Sequence, residues 1–220
     1  MNVKLIGFTP NSEKIPAMAA KLTHSISKPE ELDKTPEKEL KAILEHVTKL
    51  GHTSVVEHTS FTFAISDVSR SLTHQLVRHR IASYSQQSQR YVNLKEPCYV
   101  VPPKIAQNMQ MKKAYEHTME VIWDQYNKLT EMGIPAEDAR YVLPNATCTN
   151  IIVTMNARSL LNFFELRCCQ HAQWEIRKLA NLMLKEVKKV APTIFKNAVP
   201  TCKTKGVCPE NKKDCPLYPK

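Results

Sequence analysis

The chain lacks any run of apolar residues long enough to cross a bilayer, which excludes a helical membrane span. Its opening, Met1 to Phe8, is too short an apolar stretch for a signal peptide and reads as a first strand. The expected location is the cytoplasm, and the seven cysteines, an odd number, are expected as reduced thiols. Tight Cys-x-x-Cys pairs are missing, and His46, His58, His74, His117 and His171 follow no ligand spacing, so no bound metal is expected. Aromatics make up only 7% of the chain, too few to line a path for stacked bases. No Lys/Arg-rich run stands out in the body of the chain, and no internal repeat is present.

The bulk composition is that of a folded protein. Of 220 residues, 42% are hydrophobic and 24% charged, which suits a full core and argues against disorder. The net charge is +10. Such a balance attracts anions, and phosphorylated small molecules, nucleic acid and a solvated basic surface are the three readings. Residues 1–200 are expected as one domain and 201–220 as a Cys/Lys/Pro-rich tail. In that tail Cys202, Cys208 and Cys215 would need a fourth ligand from elsewhere to hold zinc.

The patterning is α+β: one domain with a mixed or antiparallel sheet flanked by helices. Residues 3–8, 61–66, 99–101 and 147–155 read as strands, the second from the alternation of Phe61, Phe63 and Ile65 with polar residues. Helices are expected over 13–24, from Thr35 as N-cap and Pro36 as first residue to Gly51, from Val68 to Arg78, over 108–131, between Pro135 and Pro144, and over 157–190. In the second of these, Leu40, Ile43, Leu44, Val47 and Leu50 form one apolar face.

The densest chemical signal is Arg78-His79-Arg80-Ile81-Ala82-Ser83-Tyr84-Ser85-Gln86-Gln87-Ser88-Gln89-Arg90-Tyr91. Residues 81–90 show no apolar period and read as a loop with too little hydrophobic content to be held by a core. Arg78, Arg80 and Arg90 suit bidentate capture of phosphate. Gln86, Gln87 and Ser88 suit the amide and carbonyl edges of a base. Single-strand nucleic-acid binding is the rival reading of this block. It is opposed by the scarcity of aromatics and by the lack of a positive stripe, and no nucleic-acid partner is expected.

Arg78-His79-Arg80 followed, after seven residues, by Ser88 resembles the RHR-x7-S signature of the flavin-dependent thymidylate synthases. Other segments appear in that family's order. They are Gly51-His52-Thr53-Ser54-Val55-Val56-Glu57-His58 with the strand Phe61-Thr62-Phe63, Gln75, Ala139-Arg140-Tyr141-Val142-Leu143-Pro144, Asn156-Ala157-Arg158-Ser159-Leu160 with Asn162-Phe163, Leu166-Arg167, and Ala172-Gln173-Trp174-Glu175-Ile176-Arg177. The resemblance implies a thymidylate synthase-complementing-like fold and reductive methylation of dUMP to dTMP. It also implies FAD as hydride carrier, NADPH as reductant, methylenetetrahydrofolate as carbon donor, and a homotetramer whose sites are shared between subunits.

By the same resemblance, FAD would be held by Ser54, Glu57, Arg78, His79, Arg80, Ile81, Gln86, Asn156, Ala157, Arg158 and Asn162, with His52 near the flavin and folate. The dUMP site would use Gln75, Arg78, Gln86, Gln87, Ser88, Gln89, Arg90, Arg140 and Arg167. Arg167 lies among Leu160, Phe163, Phe164 and Leu166 on a mostly apolar helix, where a guanidinium needs a buried partner or a ligand. It is the expected catalytic residue, stabilising negative charge at the N3/O4 edge of uracil. Ser88 has no visible activating partner and is expected to donate to phosphate rather than to attack. The Pro-Cys-His setting of the folate-only synthases is absent, and Cys168 and Cys169 are expected to pack in a core. Position 86 is Gln where some relatives carry a carboxylate, so it cannot offset arginine charge.

Overall fold

The computed structural model describes residues 1–219. The elements in order are β1 (Asn2–Phe8), α1 (Lys14–Leu22), α2 (Pro29–Leu32), α3 (Glu37–Lys49), β2 (Ser60–Ser69), α4 (Arg70–Leu76), β3 (Ser83–Gln86), α5 (Pro103–Ala106), α6 (Met109–Glu131), α7 (Ala136–Ala139), β4 (Cys148–Asn156), α8 (Ala157–Arg167), α9 (Trp174–Val190) and α10 (Thr201–Thr204). Two 3-10 turns, Thr53–His58 and Arg140–Val142, complete them. The strands hydrogen-bond in the order β1-β2-β4-β3, so the α+β reading holds. No helix among the described residues is long and apolar enough to cross a membrane.

The chain divides into two compact units, each discontinuous in sequence. The first comprises Met1–Asn2, Ile65–Arg78 and Ser85–Ile152. In it Trp123 and Tyr126 of α6 are buried. The Trp123 indole N–H donates to the Leu94 carbonyl at 3.0 Å, while the Tyr126 hydroxyl accepts from the Leu94 amide at 3.3 Å. These two rings hold down the irregular segment that follows β3. Asn108 caps α6 by accepting from Met111.

The second unit comprises Val3–Ala64, His79–Tyr84 and the chain from Val153 onward. Its core stacks Phe61, Phe195 and Phe164 edge to face and Phe163 tilted against Phe164, with centroids 5.5 to 5.8 Å apart. Each such ring, fully removed from water, contributes about 2 to 3 kcal/mol. The Glu13 carboxylate accepts from the amides of Thr193 (2.5 Å) and Ile194 (3.1 Å), tying the start of α1 to the turn after α9.

Several elements differ from expectation for physical reasons. Pro36, not Thr35, is the N-cap of α3, and Leu50 is 58% exposed because it lies past the helix end beside Gly51, whose φ of 80° reverses the chain. Val68 belongs to β2, which runs on to Ser69; the Ser69 hydroxyl then caps α4 by accepting from Leu72 at 3.0 Å. That helix stops at Leu76 rather than Arg78. Part of the segment expected as a loop is strand β3, whose alternation is polar on both faces and therefore carries no hydrophobic period. Around Tyr99 only a single antiparallel bridge to Thr147 forms. The last helix is two, because Gln173 caps a new start by accepting from Glu175 and Ile176. Within the tail, α10 forms and Cys202 is buried, while Lys220 lies outside the described residues.

Candidate active site

In the first unit the expected dUMP residues gather around β3 and the start of β4. The Gln86 side-chain amide donates to Thr73 (3.1 Å) and Thr149 (3.3 Å). Both of its hydrogens are thereby engaged, and the group it presents is a carbonyl acceptor. Gln87 is locked to Asn150 twice, backbone amide to carbonyl at 2.9 Å and side chain to side chain at 3.1 Å. The Ser88 hydroxyl oxygen accepts from the Arg90 amide at 3.1 Å, which leaves its O–H to donate. Gln75 is half-buried in the last turn of α4, whereas Arg78, just beyond that helix, is exposed.

Arg90 and Arg140 share one residue. Arg90 Nε donates to the Glu137 carboxylate at 2.9 Å, and Arg140 Nε donates to the Glu137 carbonyl at 3.0 Å. A further guanidinium, Arg70, lies at the strand-to-helix junction and donates to the Gln87 carbonyl at 3.3 Å. Burial, and next the nearby charge of Arg140, lower the Arg70 pKa from its usual value. A guanidinium whose charge is disfavoured by its surroundings is a place where an anion is stabilised. Arg70 carries no signal in the sequence, because Val68, Leu72 and Leu76 continue one four-residue stripe across the strand-to-helix junction it occupies.

In the second unit the expected flavin residues lie on a turn, a helix start and the short segment after Arg78. Glu57, in the 3-10 turn, forms an ion pair with Arg158 on the first turn of α8. Asn156 ends β4, and its side chain caps α8 by accepting from the Ser159 amide at 2.8 Å. Its side-chain oxygen thus serves the helix. Ala157 is buried and its amide donates to the Thr59 carbonyl at 2.9 Å. Asn162, Ser54 and His52 are exposed, as are Arg80 and Ile81, the last at 74%. Among the described residues neither Arg78 nor Arg80 forms an ion pair, so each suits the phosphates of a dinucleotide.

His79 and Arg167 meet. Arg167 Nε donates to His79 Nε2 at 3.1 Å, which supplies the half-buried partner that an arginine on this helix requires. The imidazole packs edge-on against Phe163, centroids 4.9 Å apart, and the Tyr84 hydroxyl donates to the His79 carbonyl at 2.8 Å. Burial first, and then the Arg167 charge, lower the His79 pKa to about 4. The ring is therefore neutral at pH 7, accepts at Nε2 and carries its proton on Nδ1. Burial pushes the Tyr84 phenol up to about 12.

A cavity of about 420 Å³ in the second unit, lined by Ser12, Glu13, Lys14, Thr35 and Lys41 among others, contains none of the expected residues. A smaller one is lined by Cys169, His171, Cys202, Cys208 and Cys215. No group of three metal-ligating side chains converges among the described residues. Cys168 is buried as expected, and burial raises its pKa to about 11; Cys169 is only half-buried.

The sequence profile of the family described as thymidylate synthase complementing protein matches residues 4–193. A flavin-dependent thymidylate synthase of Geobacter sulfurreducens is 50% identical over 218 residues, covering 98% of this chain and 94% of that protein. One from Clostridium tetani is likewise 50% identical over 98% of this chain and 93% of its own. The chain belongs to the flavin-dependent thymidylate synthase family.

The fold agrees. A UMP/dUMP methylase, PolB from Streptomyces cacaoi, solved with 5-Br dUMP, superposes with a TM-score of 0.78 at 24% identity, covering 89% of this chain and 93% of that one. As a flavin-dependent thymidylate synthase family member the chain is an enzyme that uses a flavin. The profile stops before the cysteine-bearing tail, and the RHR segment, Arg140 and Arg167 all fall within it.

Proposed function

We propose that the chain converts dUMP to dTMP by reductive methylation, with methylenetetrahydrofolate as carbon donor, FAD as hydride carrier and NADPH as reductant. The observation that carries the choice of a phosphorylated substrate is the meeting of Arg90 and Arg140 on one residue, Glu137, in the first unit. Two neighbouring cations gain most from a doubly charged phosphate, and Ser88 offers a hydroxyl donor in the same unit. Gln86 and Gln87, oriented by Thr73, Thr149 and Asn150, present amide groups suited to a pyrimidine edge.

FAD, when bound, supplies the hydride that completes the transferred methyl group. Its phosphates suit the exposed guanidinium groups of Arg78 and Arg80, and Ile81 offers apolar surface beside them in sequence. Arg158, set by Glu57, and Asn162 lie four apart on one face of α8 and suit the polar edge of the cofactor, with Ser54 and His52 on the preceding turn. Arg167 stabilises negative charge on the uracil ring at N3/O4, its guanidinium plane fixed by His79. The chain works as a homotetramer in which sites draw on more than one copy, and it acts in the cytoplasm.

The deciding test is the visible spectrum of the purified protein, first with added FAD and then with dUMP. A bound-flavin spectrum that dUMP perturbs is expected, followed by dTMP formation once NADPH and methylenetetrahydrofolate are supplied. A protein that stays colourless in FAD overturns the reading. Tight, salt-resistant, sequence-dependent DNA binding would instead favour the nucleic-acid alternative.

A further inference from the structure

Two cysteines of the first unit stand directly opposite one another. The bridge between Tyr99 and Thr147 is antiparallel, and the bonds on either side of it set the register. Cys148 donates its amide to the Cys98 carbonyl at 2.8 Å, and Val100 donates to the Ala146 carbonyl at 2.9 Å. Cys98 and Cys148 therefore face each other across the pair, with side chains on one face. Such opposed residues have Cα atoms about 5.5 Å apart, inside the span of about 4.4 to 6.8 Å that a disulfide bridges. Both are free thiols, Cys98 exposed and Cys148 half-buried.

We propose that Cys98 and Cys148 form a thiol-modification site, a dithiol that a low-molecular-weight disulfide converts into a cross-strand disulfide. Exposed Cys98 is the entry point. Its thiolate attacks one sulfur of the small disulfide, forms a mixed disulfide and expels one small thiol. Cys148 then loses its proton and attacks the Cys98 sulfur, forming the protein disulfide and expelling the second small thiol. Two protein S–H bonds become one S–S bond, and the two electrons and two protons leave on the two small thiols. Burial, then the hydrogen bond and charge of Cys98, then Asp67, push the Cys148 thiol up to about 12, which favours Cys98 as the first attacker.

The disulfide has a structural consequence. Cys148 opens β4, and the next two residues, Thr149 and Asn150, hold Gln86 and Gln87. The new bond staples the segment after β3 to the strand that anchors it.

The full-length protein is incubated with glutathione disulfide, its remaining thiols are alkylated, and the digest is mapped by mass spectrometry. Loss of two of the seven thiols, a Cys98–Cys148 linked peptide, a higher melting temperature and reversal by dithiothreitol are expected. Cys148→Ser should stop at a glutathione adduct on Cys98, and Cys98→Ser should yield no link at Cys148; circular dichroism of both variants confirms that they fold. A wild-type protein that stops at the Cys98 adduct, that keeps all seven thiols, or that links Cys169, Cys202, Cys208 or Cys215 while Cys98 and Cys148 stay free overturns the proposal.

Discussion

The two compact units hold their functional side chains by different means. In the first, Arg90 and Arg140 meet on one residue, Glu137, and amide groups are clamped by threonines and an asparagine, so the Gln86 carbonyl and the Gln87 amide are oriented. In the second, side chains are held in specific pairs: Glu57 meets Arg158, and Arg167 donates to an imidazole that carries no charge at pH 7. The first is built to gain an anion and the second to hold groups in fixed orientation. The contrast predicts that substitutions in the first unit alter substrate affinity, whereas those in the second alter turnover or cofactor retention.

The largest effect is expected at Arg167, the residue proposed to stabilise charge on the uracil ring. Arg167→Ala should lower turnover by about 10³-fold, equivalent to ~4 kcal/mol of transition-state stabilisation, while flavin absorbance persists. Single-turnover rates with flavin stoichiometry measured alongside decide it, and retained turnover would remove the assigned role. Next, Arg140→Ala should raise the KM for dUMP by about 10 to 100-fold, the loss of one charge-assisted hydrogen bond, with flavin binding unchanged. Flavin loss in that variant would break the division between the units.

A smaller effect separates position from charge at His79. Gln places an acceptor where Nε2 stands, so His79→Gln should keep most turnover, whereas His79→Ala should lose about 10-fold through a loosened Arg167. Equal losses in both would show that the acceptor does not matter. The same residue gives a pH signature. Its pKa is about 4 when folded and 6.5 in the reference state, so the unfolded chain binds the extra proton first. Stability is unaffected above pH 6.5 and declines as pH falls toward about 4. Melting curves of the wild type should show this slope and those of His79→Gln should flatten it. Last, Glu57→Gln should change stability by less than about 1 kcal/mol, because the pair is exposed, and should act instead on FAD affinity, read by fluorescence titration.

Most of the architecture was legible from local pattern. The alternation through Phe61, Phe63 and Ile65 carried β2 because one face of it is buried, and the prolines at 135 and 144 bracketed a helical segment that the structure divides into α7 and a 3-10 turn. Strand β3 was not legible, since no residue from Ser83 to Gln86 is fully buried and Gln86 is held by side-chain hydrogen bonds to Thr73 and Thr149. The split between α8 and α9 was hidden because apolar residues continue on both sides of a break that a single glutamine side chain nucleates. At the site, Arg167 announced itself as a charge among Leu160, Phe163 and Phe164. Its partner His79 lies 88 positions away in sequence, and no local pattern connects the two. Arg70 was missed because its significance rests on Arg140, in another element altogether.

Both units pass from strand to helix with no intervening residue: Ser69 closes β2 and caps α4, and Asn156 closes β4 and caps α8. Each junction acts as a rigid coupling, transmitting the orientation of the strand to the helix like a keyed shaft. A helix turns by about 100° per residue, so one inserted residue at Asn156 would swing Arg167 a quarter-turn or more off its bearing. At Ser69 the same insertion would swing Gln75. These joints leave evolution free to change side chains along the helices but not to lengthen the chain at their roots.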